Sequence, residues 1–408
     1  MKTQLFIASI FISTFVNAQN VWTSKASFPA SARHYAIGFS IGNKGYLGTG
    51  MTFGPTFHKD FWEYNPVTNT WTQKADFGGN PKDNAVSFSI GTNGYVGTGY
   101  ETPTANATKD FWEYSQLTNQ WTQKADFGGT PRRYAVGLTI GNKGYIGLGY
   151  DTAGAVNDFW EYEPLNDTWT QKSNYAGNAW TYAVGFGIGA KGYVGTGLDS
   201  TISQSNDFWE YEPLTDTWTQ KADFGGLPKY NAVGFAIGNK GYIGIGLDSI
   251  GYTQDFWEYN PITDAWIQRA NFGGGIRWAA VGFSILNKGY LGTGLAGSTD
   301  TQDFWEYSPD TSTTGLEIMG NNFVIEVLPN PVINNLIVAF NTQVKRDATF
   351  EIYSTQGKRM NLDLIYVANQ KTNQFSFCVA ELSAGVYLLK ANVEGKVFVK
   401  KFVKIEVR

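Results

Sequence analysis

The sequence predicts an all-β chain: a six-bladed β-propeller closed by its own N-terminal strand, then a small β-sandwich. Three observations predict it. The segment Asp-Phe-Trp-Glu-Tyr occurs six times, with its tryptophan at Trp62, Trp112, Trp160, Trp209, Trp257 and Trp305. Spacings of 48 to 50 residues belong to propellers or solenoids. Of 408 residues, 48 are glycine and 16% aromatic, while only 16% are charged. Aromatics suit packed pleated sheets, and glycines suit tight turns and close strand contacts. Beyond residue 321 the repeat stops, and short apolar strands alternate with turns.

Turn residues divide each repeat into four strands. In the first, strand a is expected over Tyr35–Ile41, b over Lys44–Gly50, c over Asp60–Tyr64 and d over Trp71–Lys74. Gly42-Asn43-Lys44 turns a into b, and Asn65-Pro66-Val67-Thr68-Asn69 turns c into d. Period two places Trp62 and Tyr64 on one face of strand c, and Phe61 and Glu63 on the other. Both faces of a blade meet neighbouring blades, so large aromatics on both are expected.

Counting d strands gives the closure. Trp71, Trp121, Trp169, Trp218 and Trp266 open five of them, and the sixth repeat runs into Ser308-Pro309-Asp310 without a tryptophan. The missing strand stands at the other end, where Val21-Trp22-Thr23-Ser24-Lys25-Ala26 matches the Trp-Thr-Gln-Lys-Ala pattern. An N-terminal strand completing the last blade leaves no open edge.

The order of glycine-rich strand, Tyr64-Asn65-Pro66-Val67-Thr68-Asn69-Thr70-Trp71 and then Pro81-Lys82 resembles the kelch repeat of the galactose oxidase-like central domain superfamily. The resemblance covers roughly residues 20–308 in all six copies, with strand b ending Gly-x-Gly instead of in paired glycines. In the tail, Leu328-Pro329-Asn330-Pro331, Ile352-Tyr353-Ser354-Thr355-Gln356-Gly357-Lys358 and Leu382-Ser383-Ala384-Gly385-Val386-Tyr387-Leu388-Leu389 precede the basic end Lys400-Lys401-Phe402-Val403-Lys404. These segments resemble the C-terminal sorting domain of the Bacteroidetes type IX secretion system, which implies passage through the outer membrane and removal of the tail. The competing reading is an accessory Ig-like sandwich; six strands are expected, the last four at 349–353, 375–379, 386–393 and 397–407.

Four parts follow: a signal peptide at 1–18, the propeller at 19–308, a linker at 309–321 and the sorting domain at 322–408. Lys2, the apolar run Leu5 to Val16 and the small residues of Val16-Asn17-Ala18 carry the first of these. Residues 19–321 hold 19 basic and 28 acidic side chains, whereas 322–408 hold 11 and 7. The acidic balance argues against nucleic acid as a partner, and no later segment is apolar and long enough to span a membrane. With Cys378 alone, no intrachain disulfide can form.

Copper oxidases of the galactose oxidase type need two histidines, a tyrosine and a crosslinked cysteine; here only His34 and His58 occur, and the cysteine lies in the tail. Sialidase Ser-x-Asp-x-Gly-x-x-Trp boxes are missing, and no His/Cys cluster has zinc spacing. No cofactor is expected. The six aspartates opening strand c, from Asp60 to Asp303, are expected to cap loop N–H groups.

Variation between blades points to a site. Before strand a, a first position reads Arg33, Lys82, Arg132, Trp180, Lys229 and Arg277, and the next reads His34, Asp83, Arg133, Thr181, Tyr230 and Trp278. Such a ring at the channel mouth could hold a carboxylate-bearing ligand through bidentate arginine and stacking tryptophan. Equally, the cations could pair with neighbouring aspartates and serve only the blade. The b–c loops on the same face vary, and Asp151-Thr152-Ala153, Asp199-Ser200-Thr201 and Asp248-Ser249-Ile250 resemble Bacteroidetes O-glycosylation triplets. The expected function is a secreted or surface-held, non-catalytic binder of a glycan or protein, touching the secretion machinery through 322–408. The alternative is a sugar-active enzyme resembling the six-bladed sialic acid mutarotases, with His34, Arg33, Arg132 and Arg277 converging with Asp83 or Glu101.

Overall fold

The computed structural model describes residues 20–177, 181–199 and 201–309, and in the tail 325–328, 332–340, 348–354, 358–360, 366–369, 374–393 and 396–405. The expected signal peptide, Trp180 and the linker beyond residue 309 lie outside the described residues. The chain divides into two compact units, Met1–Thr311 and Ser312–Arg408.

The first unit is a propeller of six four-stranded antiparallel sheets. In blade 1 the strands are Ile37–Ile41 (a), Lys44–Gly48 (b), Phe61–Asn65 (c) and Thr70–Gln73 (d), paired in that order. Blades 2 to 5 repeat this. In blade 6, strands Val281–Ile285, Lys288–Gly292 and Phe304–Ser308 take Val21–Lys25 as their outer partner, in register Val21↔Ser308 to Lys25↔Phe304. Strand a begins two residues later than expected because Tyr35 has φ +52°, which no strand residue adopts. Strand b ends two residues early for the same reason, with Thr49 at +56° and Gly50 at +84°.

Aromatic layers hold the blades together. Tyr46 stacks on Phe61 at 5.5 Å, and Phe61 meets Tyr114 of the next blade edge-on at 4.8 Å. Trp22 stands where other blades carry their d-strand tryptophan: it lies 5.0 Å from both Phe256 and Phe272, and its Nε1 donates to Ala270 O. Bare positions allow the close approach of blades. A Cβ on Gly38 would collide with the Val281 side chain of blade 6.

A second staple runs along the c–d turns. Asn69 at φ +54° accepts Tyr64 Oη at 2.8 Å and the Ala26 N–H of the preceding d strand at 2.9 Å. Asn119, Asp167, Asp216 and Asp264 repeat both bonds. Asn20, also at +54°, accepts Tyr307 Oη, so the N-terminal segment reproduces the turn as well as the strand.

The b–c loops, read as polar connections, form short hairpins in most blades, such as Tyr100–Glu101 with Asn106–Ala107 and Thr299–Asp300 with Leu295–Ala296. In the tail, a four-stranded sheet and the three-stranded sheet Ala348–Ser354, Gly385–Val393, Lys396–Lys404 enclose a core that includes Leu336, Phe350, Phe377 and Leu389. Its strand Tyr366–Asn369 was not among those expected.

Candidate ligand site at the channel mouth

The first-position cations do not face the channel. Arg33, Lys82, Arg132, Lys229 and Arg277 are at most 2% exposed, and each pairs with the aspartate opening strand c of its own blade. Arg33 donates from both terminal nitrogens to Asp60, at 2.6 and 3.0 Å, and its NH1 also reaches Thr49 O. The d–a loop phenylalanine of each of these blades lies beneath the cation, Phe28 at 4.8 Å from Arg33. Burial pushes the Asp60 carboxyl up, but bonding and charge from Arg33 prevail and hold it below the usual range. Asp303 beside Arg277 behaves alike. Burial lowers Lys82 and Lys229, against the pull of Asp110 and Asp255. Two expectations are thereby corrected. The cations form no exposed ring, because burying them requires a carboxylate partner inside the blade. Five of the six strand c aspartates are ion-pair partners that also accept an indole N–H, as Asp60 does from Trp62 at 2.8 Å, while Asp207 accepts from Ser205 Oγ and the Trp209 indole; among the described residues none caps a loop amide.

The second positions differ from blade to blade. His34 is buried, with Nδ1 2.6 Å from Asp300 Oδ1, while the other Asp300 oxygen accepts the Phe53 N–H. His34 therefore bonds an acid of the blade 6 hairpin, and neither Asp83 nor Glu101; Glu101 accepts from Thr104. Asp83 is 4% exposed, and burial pushes its carboxyl up to about 6. Among the described residues, its Oδ1 has no hydrogen-bond partner. The half-buried Arg133 lies over the rings of Tyr134 and Tyr100, 4.9 and 5.2 Å from their centres. Trp278 donates to Gly297 O and stacks on Tyr252 at 5.8 Å. Tyr230 is half-buried and Thr181 buried.

A third position completes the mouth, at the residue where the sequence predicts strand a to begin. Tyr35, Tyr134 and Tyr182 all have φ between +52° and +59°, which turns the chain out of the strand. Tyr134 and Tyr182 stack at 3.9 Å, and Tyr35 lies within 6.4 Å of both from the far side of the axis. Tyr230 and Trp278 extend this floor, 6.0 Å from Tyr182 and 6.1 Å from Tyr35. Burial raises the Tyr35 and Tyr182 hydroxyls, which therefore stay protonated as hydrogen-bond donors at neutral pH. The arrangement offers stacking faces, hydroxyl donors, one guanidinium and one buried carboxyl. The signal in the sequence was the variation of this third position, Tyr, Asn, Tyr, Tyr, Asn, Ala, before an alanine present in every blade. Among the described residues, no group of three or more His, Cys, Asp or Glu could hold a metal.

Residues 326–406 match the family described as the secretion system C-terminal sorting domain. No match to a curated protein is found. Among solved structures, the chain is similar to the one titled "Structure of YjhT", with a TM-score of 0.60 and 15% identity, covering 69% of this chain and 95% of that one. The likeness supports the propeller fold. The sorting tail marks the protein for export by the type IX system, to the cell surface or beyond it.

Proposed function

We propose that the exported propeller is a non-catalytic glycan-binding module, with its site on the tyrosine floor of the channel mouth. The observation that carries this is the cluster of Tyr35, Tyr134 and Tyr182, flanked by Tyr230 and Trp278, beside the unpartnered Asp83 oxygen. Aromatic faces cover the C–H surface of a sugar, and a buried acceptor fixes one hydroxyl. Arg133 is the second-position cation left to meet an acidic substituent, since the first-position cations are paired within the blades. A glycan array probed with the full-length chain tests this. Binding should appear and should be lost in Tyr134→Ala; retention in that variant would remove the floor from the account.

The enzyme reading rests on the His34–Asp300 pair, since an imidazole oriented by a carboxylate can move protons. Anomer interconversion that is followed by NMR and abolished by His34→Gln would replace the binding reading. For the signal peptide, the test is N-terminal sequencing of the exported protein, which should begin at Gln19. Deleting 326–406 should block export from a type IX-competent host and leave the propeller's melting unchanged.

A further inference from the structure

Two grooves occupy the same place in different blades, and neither is lined by the tyrosines of the floor. One, of about 490 Å³, is lined by Gly79, Asn80, Glu101, Asp110, Trp112 and Gln123. The other, of about 610 Å³, is lined by residues that include Gly226, Leu227, Asp248, Asp255, Trp257 and Gln268. These are blades 2 and 5, the two whose buried cation is lysine.

In both of these blades the buried cation leaves part of the aspartate without a donor from its own nitrogen. In the arginine blades, one guanidinium nitrogen takes the deep acceptors: Arg132 NH1 donates to Leu148 O and to one Asp158 oxygen. Its outer half then reaches further. NH2 donates to the second Asp158 oxygen at 2.8 Å, Nε donates to Thr130 O, and NH2 would lie 2.8 Å from a Cβ on Gly129. Arg33 and Arg277 bond both oxygens of their aspartates in the same way. Lysine supplies only the deep half. Lys82 Nζ donates to Thr98 O, Thr108 Oγ1 and one oxygen of Asp110, and Lys229 Nζ donates to Ile245 O, Thr253 Oγ1 and one oxygen of Asp255. The second oxygens of Asp110 and Asp255 accept the Trp112 and Trp257 indoles at 2.8 Å, with no donor from the cation. A second acid, Glu101 or Asp248, stands opposite each lysine in the neighbouring strand.

We infer that these grooves are a pair of sites for a neutral sugar, each taking hydroxyl donors where the arginine blades place the outer half of a guanidinium. The positive charge is already present in the fully buried ammonium, so a second cation would be repelled. What the groove still takes is an uncharged donor for the aspartate oxygen and the rim carboxylate, with an apolar face to lie along the indole and, in blade 5, Leu227 and Ile276. Volumes near 500–600 Å³ suit a small ligand. The inference does not rest on the mouth site, although Tyr252 at the edge of the blade 5 groove stacks on Trp278.

The test is the double variant Lys82→Arg, Lys229→Arg in the full chain, which installs the residue that three other blades carry. The probes are the methyl glycosides of glucose, galactose, mannose and N-acetylglucosamine, titrated by calorimetry, with N-acetylarginine amide as the cationic control. At least one glycoside should bind at two sites per chain. The variant should lose that binding by about tenfold or more while melting at the same temperature or higher, and Tyr134→Ala should leave the two sites intact. Failure of every glycoside to bind, binding untouched by the lysine replacements, or arginine amide binding in place of the sugars would each overturn the inference.

Discussion

Arg132 and Arg133 are neighbours in the chain, and the propeller uses them in different ways. Arg132 is fully buried, bonds both oxygens of Asp158 and has counterparts in four other blades. Arg133 is half-buried over two tyrosine rings, and its counterparts are histidine, aspartate, threonine, tyrosine and tryptophan. A residue type shared by nearly every blade solves a problem that every blade has, here the docking of the d–a loop onto strand c. A position that changes from blade to blade is free of that duty and can build a single asymmetric floor at the axis.

Removing elements of the shared framework should cost most. Deleting residues 20–26 takes away the outer strand of blade 6, with Trp22 and the Asn20 staple, and should lower stability by more than a single core truncation, above about 5 kcal/mol. Thermal melting checks it; an unchanged midpoint would mean that the N-terminal strand is dispensable. Next comes Asp158→Ala, which leaves Arg132 buried without its partner and should cost roughly 3–5 kcal/mol, measured by denaturant unfolding.

Asp83 belongs to the variable ring and should show the opposite sign. Its folded pKa of about 6 lies above the usual carboxylate value, so between about pH 4 and 6 the unfolded state binds fewer protons and stability falls as pH rises. The penalty is fully present above pH 6 and absent below pH 4, and amounts to roughly 3 kcal/mol. Asp83→Asn should therefore be more stable than the parent at pH 7.5 and equal to it near pH 3.5. Stability curves for the two proteins across that range decide the point. Trp278→Ala should change stability least, by about 1–2 kcal/mol, while weakening glycan capture about tenfold or more.

Much of the framework was legible because repetition multiplies the signal. The Trp22 strand could be assigned to blade 6 only because five other tryptophans fixed the pattern. Tyr35 was assigned to strand a because its neighbours alternate as a strand does; a positive φ at a tyrosine has no signature in one sequence. The burial of Arg33 was one of two readings the sequence left open. It depends on Asp60, 27 residues away, and the cation and acid patterns were both visible without the distance between them. The pairing of His34 with Asp300, 266 residues apart, joins blades 1 and 6 and has no counterpart among the described residues. The missed tail strand Tyr366–Asn369 is only four residues long.

The most direct measurement compares Arg132→Ala with Tyr134→Ala, two positions apart, reading unfolding free energy and glycan capture on both. The division between framework and floor predicts that Arg132→Ala loses several kcal/mol of stability yet still binds below its melting point, while Tyr134→Ala stays folded and does not bind. An Arg132→Ala protein of unchanged stability that no longer captures the glycan would contradict it.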